Sequence, residues 1–502
     1  MEGEFRMKNQ TIPNTSCGGQ WQVLLCAPPE EGQVRQTDTP DYVLDDFLSY
    51  PPLGLLCLAG ALPDTVRVTV LDAAAAKLDI AGTVRVITDA RPAVLGLTVA
   101  THLLYAAAGI AAAVKQYCPD TVIVVGGPHV RLYPEETIRL PGIDFAVAGY
   151  AETGFARLVA ELAAGRQPID SVPPIPGLIC RSAGGTLHWH APQELPACID
   201  GLPLPRRELL AGADYHSLAD EVATATLCSS RGCPHRCRFC DCGDRTYHYR
   251  SGAAIVDEIG HLFATGTRHV HFIDDTFNLL PERVEEICRE LIRRHLPVTW
   301  SARARVDRLP AQLLRLMQQS GCQRLHLGVE SLDPEILAYS RKQITYDELR
   351  RVFRDCRRTG IETLAYVIMG WPGQSPQDCW EAYREIRRLL RPDYLLISLL
   401  YPLPGSELYR DLLTDGKLPR DCWAEFAAQP VADFCLPEWR QRWTTAAYQA
   451  VIDRMYRDFY LSLPVVMREV WRLRTWQQCR RKLQAGIRLL RTVAAGRGGA
   501  NH

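Results

Sequence analysis

Between residues 21 and 165 strand signals and helix signals take turns, and that alternation restricts the chain to a small set of folds. "WQVLLCAPP" is an apolar run stopped by Pro28 and Pro29, which predicts a buried strand. "PPLGLLCLAGALP" over 51–63 predicts a helix, and "VRVTVLDA" and "AVLGLTVAT" predict two more strands. The Ala-rich helix "LLYAAAGIAAAVKQYCP" comes next, then strands at "TVIVVGGPH" and "DFAVAGYAE", then the helix "TGFARLVAELAAG". Five strands with helices between them predict an α/β fold, a doubly wound parallel sheet with helices on both faces. Sheets of this kind bind ligands beyond the carboxyl ends of their strands. Here those ends are Ala27 to Pro29, Asp72-Ala73, Thr98 to Thr101, Gly126 to His129 and Gly149-Tyr150.

At 502 residues the chain should hold two or three domains. Lys plus Arg and Asp plus Glu each number 57, so no global charge points to nucleic acid. The first twenty residues are a polar tail without an apolar signal core, and no apolar run is long enough to span a bilayer. A soluble, cytoplasmic protein is expected. Eighteen Cys are scattered along the chain. In a reducing compartment they remain thiols, so a tight group of them suggests metal rather than disulfides.

One such group exists. "LCSSRGCPHRCRFCDC" places Cys228, Cys233, Cys237, Cys240 and Cys242 within fifteen residues. Gly232 and Pro234 disfavour a helix that would bury the thiols, so a loop is expected. Structural zinc usually takes four ligands as two separated pairs, and ferredoxins supply four thiolates per cluster. CxxxCxxC supplies three, which leaves one iron of a four-iron cluster open to a small molecule. Cys242 as a fourth ligand, and zinc, are the alternatives.

Two resemblances follow from these residues. The helix "PPLGLLCLAGAL" with "VLDA", "GLTVAT", "VVGGPHV" and "IDFAVAGYAETGF" resembles, over residues 21–165, the cobalamin-binding domain that precedes many radical SAM domains. The resemblance implies cobalamin held near Thr98, Gly126 and Gly127, with the paired glycines giving room for close approach. The family's DxHxxG is absent: the corresponding loop is "APPEEGQVRQTD", so no His ligand to cobalt is expected.

CxxxCxxC with Phe239 before its last Cys resembles the radical SAM signature, and the likeness runs over about residues 223–415. It implies a 4Fe-4S cluster on Cys233, Cys237 and Cys240. Strands are expected at "RHVHFIDDTFN", "VTWSARARVD", "CQRLHLGVESLD", "ETLAYVIMGWPGQ" and "DYLLISLLYPLPG", separated by helical patterns. With the strand before the cluster loop they make a partial (β/α)6 barrel whose ligands gather at the carboxyl ends. The resemblance further implies S-adenosyl-L-methionine (SAM) on the open iron. Its carboxylate would take Arg303 or Arg305, its amino group and ribose Asp274, Asp275 and Glu330, and its adenine the backbone at Gly370 and Gly373. Strand alternation puts Arg303 and Arg305 on one face, so the sequence does not choose between them.

Residues 166–222, rich in Pro and Gly with short strand-like pieces, are expected to be a linker, and 416–502 a helical region. Its second helix, "VMREVWRLRTWQQCRRKLQAGIRLLRTV", is basic and amphipathic; docking of its apolar face on the barrel is the favoured reading over a membrane or partner site.

Together the resemblances imply a cobalamin-dependent radical SAM enzyme, foremost a methylase. A 5′-deoxyadenosyl radical from SAM would activate a carbon of a small molecule or natural-product intermediate. Methylcobalamin would supply the methyl group, and an external one-electron reductant such as flavodoxin or ferredoxin the electrons. The alternative enzyme is a cyclase or rearrangement catalyst using cobalamin without methyl transfer. A cobalamin- or redox-sensing module with a structural cluster is the non-enzymatic alternative.

Overall fold

The computed structural model describes residues 21–34, 50–166, 173–182, 184–210, 215, 224–440 and 442–471. These fall into two compact units. The first holds the described residues up to Tyr215 together with 411–437, and the second holds 224–410 and 438–471.

The first unit is built on a sheet of seven strands: β1 Gln22–Ala27, β2 Arg67–Asp72, β3 Val94–Thr98, β4 Val122–Gly126, β5 Phe145–Val147, β6 Leu178–Arg181 and β7 Leu187–Trp189. The order is β2-β1-β3-β4-β5-β6-β7. The first five strands are parallel, as their apolar runs predict for strands covered on both faces. Val23, Leu25, Val94 and Val124 are buried against Leu55 and Leu56 of the Leu53–Ala61 helix and Phe155 and Leu158 of the Glu152–Ala163 helix. The order reverses between β1 and β3, which opens a crevice at their carboxyl ends.

Two findings depart from the sequence reading. β6 and β7, inside the stretch taken for a linker, add antiparallel strands to the β5 edge. Residues 411–437, placed by sequence with the barrel and the C-terminal helices, group with the first unit instead. Their helix Cys422–Ala428 packs on the Pro134–Arg139 helix.

The second unit is a parallel sheet of β8 Thr224–Leu227, β11 His269–Phe272, β12 Thr299–Ala304, β13 Cys322–Glu330, β14 Glu362–Met369 and β15 Tyr394–Leu399. Its order, β15-β14-β13-β12-β11-β8, follows the chain, as successive βα units require. A small hairpin of β9 Ser230–Arg231 and β10 His248–Tyr249 stands after β8. On one face Phe272, Trp300, Leu325, Leu327, Val367 and Ile397 are buried in a core with the flanking helices. Alternation puts His271, Ser301, Arg303, His326 and Tyr366 on the other face. The open edge at β15 is covered by the Thr445–Tyr460 helix. Tyr456 exchanges hydrogen bonds with the backbone of Ile397 (2.8 and 3.0 Å) and Tyr460 with that of Leu395 (3.1 and 2.8 Å). Four residues of helix rise about 6 Å and two residues of strand about 6.6 Å, so hydroxyls at i and i+4 meet alternate strand residues. An exposed sheet edge is satisfied in this way. Among the described residues, no helix is long and apolar enough to cross a membrane.

Candidate active site

The cysteine loop leaves the carboxyl end of β8 and is closed at its base by the β9–β10 hairpin, which pairs Arg231 with His248. Gly232 adopts φ +79°, and a Cβ there would lie 2.0 Å from the carbonyl oxygen of Thr246, so only glycine fits this turn. The Cys233 amide then bonds the Asp244 carbonyl at 2.9 Å. Cys233, Cys237, Cys240 and Cys242 are half-buried free thiols. Burial pushes the Cys237 thiol up, while Lys342 and Arg305 pull it down; burial pushes Cys240 and Cys242 up to about 12. Among the described residues, no three His, Cys, Asp or Glu side chains converge as the ligands of a single ion do. Three thiols free of disulfides on a rim loop, with two cations nearby to offset thiolate charge, fit an iron–sulfur cluster. Cys228 lies outside this set, with its Sγ 3.0 Å from the Ser230 carbonyl.

Aromatic contacts clamp the loop from outside. Phe239 meets Trp371 edge-on, with centroids 5.8 Å apart. The guanidinium of Arg238 lies 4.5 Å over Tyr339, and its amide donates to Ser340 at 3.0 Å. Arg341, in turn, pairs with Glu407 at 2.6 Å. Tyr339, Arg341 and Glu407 were not foreseen as supports; only the aromatic Phe239 inside the cysteine motif hinted at such a clamp.

The expected SAM residues divide. Asp274 is buried, accepting from the hydroxyls of Ser229 (3.0 Å) and Ser230 (2.8 Å) and from the Ser230 amide. It pins the start of the cysteine loop, with three hydrogen bonds already on its carboxylate. Asp275 is exposed, 3.8 Å from Cys242 Sγ. Glu330 is buried at the end of β13 with φ +59°, a strained conformation for a side chain of this kind. One of its oxygens takes Lys342 Nζ at 2.8 Å. Burial works against that ammonium, yet Glu330 and then Cys237 hold its pKa above normal. Lys342 is a site residue that sequence reasoning missed, since "SRKQIT" reads as an ordinary polar loop.

Arg303 and Arg305 do not share an environment, contrary to the alternation argument. β12 ends at Ala304, and Arg305 opens a 3-10 turn. Its backbone is held by Asn278 at 2.9 and 2.8 Å, and its guanidinium by Asp307 at 3.0 and 3.2 Å and the Lys342 carbonyl at 2.8 Å. Arg303 stays on the strand, half-buried, and donates to Tyr366. The Tyr366 hydroxyl lies 3.1 Å from His326 Nδ1, and the His326 ring packs 4.9 Å from that of His271. Burial first, and the nearby arginines after it, keep both imidazoles neutral: His271 falls to about 3 and His326 well below its usual range. His326 Nε2 is buried with no hydrogen-bond partner.

Gly370, with φ +74°, has its amide occupied by Gln374 Oε1 at 2.9 Å, so it shapes the turn and cannot donate to adenine as well. Gly373, with φ +83°, is exposed with open space around it.

In the first unit Thr98, Gly126 and Gly127 come together at the β3 and β4 ends. Gly127, at φ +112°, is required by the chain itself: a Cβ would meet the Val99 oxygen at 2.7 Å. Gly126 is freer, with only the Val147 oxygen at 3.5 Å. Close ligand approach is therefore an argument for Gly126, and backbone need the reason for Gly127. His129 follows, fully buried and neutral, with Nδ1 3.0 Å from Thr101 Oγ1 and Nε2 without a partner. A half-open glycine at a strand end and an orphaned imidazole nitrogen nearby fit a large polar cofactor such as a corrinoid.

Comparison with known families agrees with both halves of this description. The radical SAM superfamily model matches residues 227–386, and the B12 binding domain model matches residues 43–159. The chain carries a radical SAM domain and a B12 binding domain. Among relatives of this radical SAM chain, an uncharacterized methyltransferase of Pyrococcus horikoshii is 27% identical over 455 residues, covering 89% of this chain and 94% of the relative. The anaerobic magnesium-protoporphyrin IX monomethyl ester cyclase of Rubrivivax gelatinosus is 28% identical over 374 residues, covering 72% of this chain and 66% of that one. The fold matches the radical S-adenosylmethionine methyltransferase TsrM from Kitasatospora setae, solved with cobalamin and a [4Fe-4S] cluster. The TM-score is 0.63 at 22% identity, over 80% of this chain and 76% of that one.

Proposed function

We propose that this chain is a C-methyltransferase acting on an unactivated carbon of a small-molecule intermediate. The observation that carries the reading is the presence on one chain of a three-thiol rim loop and a B12-type sheet with a half-open glycine end. A methyltransferase relative aligned over both halves supports it. When bound, a 4Fe-4S cluster supplies the electron that cleaves SAM, and a corrinoid carries the methyl group.

Cys233, Cys237 and Cys240 are the cluster ligands in this reading, with Lys342 and Arg305 as fixed positive charges beside them. Arg303 is the better candidate for the SAM carboxylate, because the guanidinium of Arg305 is already bonded on two sides. Glu330 can receive the ribose through the oxygen that Lys342 does not bond, and Gly373 offers backbone to the adenine. Asp275 remains the acceptor for the amino group. Flavodoxin or ferredoxin in the cytoplasm would supply electrons.

The cyclase relative motivates the second reading, cyclisation or rearrangement without methyl transfer. Omission of corrinoid separates the two. Reconstituted protein given SAM and reductant should form S-adenosylhomocysteine only when corrinoid is present. Its formation without corrinoid would sink the methylase assignment, and its absence under both conditions would favour the second reading.

A further inference from the structure

We propose that the outward side of the cysteine loop, at its Cys233–Cys237 end, is the docking surface for an acidic one-electron carrier protein; the proposal rests on the radical SAM reading of that loop. The spacer between these two cysteines is Pro234-His235-Arg236. Pro234 and Arg236 are exposed, and Arg236 makes no hydrogen bond or ion pair among the described residues. It adds charge to the surface and nothing to the bonding of the loop. Other guanidiniums gather beside it. Arg245 is exposed and reaches back to the His235 carbonyl. Arg308, 47% exposed, is close enough for its charge to act on His235. Arg238 and Arg341 share a single carboxylate, Glu407, at 3.6 and 2.6 Å. The acids lie towards the other end of the motif: Asp275 sits 3.8 Å from Cys242 Sγ, and the exposed Asp241 interacts with Asp275 and with Arg245.

Charge identifies the partner. Arg236, Arg238, Arg245, Arg308 and Arg341 outnumber the carboxylates beside them, in a chain whose formal net charge is zero. Electrons pass between proteins only over short distances, so a donor to the cluster has to approach the cysteine loop itself. On that approach it meets a positive surface. A carrier with acidic residues around its redox group is drawn in and orientated there, and a basic carrier is repelled. Electron-transfer complexes bury little area, and a charged surface without a large apolar patch suits such a brief contact. One electron leaves the carrier and enters the cluster, and no atom moves between them.

Flavodoxin is the probe. The full chain with its reconstituted cluster is titrated with flavodoxin by calorimetry at low and at high salt. Cleavage of SAM to 5′-deoxyadenosine is then driven either by reduced flavodoxin or by photoreduced deazariboflavin, an uncharged small reductant that needs no docking. Affinity should fall steeply with salt. Arg236→Glu with Arg308→Glu should weaken it about tenfold or more at low salt and slow flavodoxin-driven cleavage in step. Arg236→Gln should do the same to a smaller degree. Deazariboflavin-driven cleavage should be equal in all three proteins. Affinity indifferent to salt, or equal in parent and double variant, would overturn the proposal. So would variants slowed with both reductants, because the arginines would then serve the cluster and not the carrier. Failure of the underlying radical SAM reading shows separately, as a parent protein that cleaves no SAM with either reductant, and the proposal would fall with it.

Discussion

Phe239, inside the cysteine motif, meets Trp371 edge-on at 5.8 Å and an interplanar angle of 82°. Trp371 is buried and its indole N–H bonds the Ile368 carbonyl at 2.8 Å, so it is a fixed wall against which the loop rests. An aromatic pair of this geometry contributes about 0.5–1.5 kcal/mol beyond area burial. Phe239→Leu should leave the fold intact and loosen the loop. The expected result is faster loss of iron to a chelator by roughly three- to tenfold, measured by absorbance. An unchanged rate would show that the contact does not hold the loop.

The cysteines should separate cleanly. Joint replacement of Cys233, Cys237 and Cys240 by Ala should abolish iron binding after anaerobic reconstitution. Cys228→Ala and Cys242→Ala should retain it. Loss of the cluster on Cys242→Ala alone would make the ligand set four rather than three.

The two glycines at the end of β4 should differ in kind. Gly127→Ala forces a side chain into φ +112° and against the Val99 backbone, so the first unit should lose stability by more than 1 kcal/mol, on the order expected for such positions. Gly126→Ala has room and should melt like the parent. A larger side chain at 126 should then lower corrinoid uptake, followed by visible absorption. Equal melting of both alanine variants would contradict the backbone argument.

Arg303 and Arg305 should part as well. Removing a charge-assisted contact costs on the order of 1.5–3 kcal/mol, so Arg303→Ala should weaken SAM binding by roughly ten- to a hundredfold. Arg305→Ala should act mainly on cluster retention, because it releases Asp307 and the Lys342 carbonyl. Titration calorimetry and iron content distinguish them, and a reversed pattern would exchange the two roles.

His271 is held neutral by burial, with its pKa near 3 instead of its ordinary value of about 6.5. The unfolded chain therefore binds a proton that the folded chain does not between these limits, and stability rises with pH across that window. It is full above about pH 6.5 and falls on acidification, with an upper bound near 1.4 kcal/mol per pH unit for each such His. His129 behaves alike. Replacing His271 by Gln should flatten the pH dependence of denaturant unfolding between about pH 6.5 and 5, a window drawn from those two limits. A slope equal to the parent's would place the effect elsewhere.

The architecture was legible wherever burial repeats in sequence. The aliphatic runs at 22–27, 94–98 and 122–126 can only be covered strands, and the βα units after residue 223 carry the same signal. β6 and β7 show in the sequence only as short strand-like pieces of a linker, because four and three residues between Pro and Gly carry no period that would assign them to a sheet. The site was less legible because side-chain roles depend on where strands stop. Two arginines two apart look equivalent until β12 ends between them. Asp274 and Asp275 are adjacent acids, yet one turns inward to Ser229 and Ser230 and the other outward. Lys342 lies twelve residues from Glu330, and no local pattern announces the pair. Of the basic helix predicted over 466–493, the part beyond Trp471 lies outside the described residues.

The most direct test is the ratio of two products. Protein reconstituted with iron, sulfide and corrinoid is supplied with SAM, reductant and the candidate substrate, and 5′-deoxyadenosine and S-adenosylhomocysteine are quantified beside the methylated product. Radical methylation predicts one of each per product, with a methyl label on SAM carried into it. Turnover that yields 5′-deoxyadenosine and altered substrate with no S-adenosylhomocysteine would contradict it.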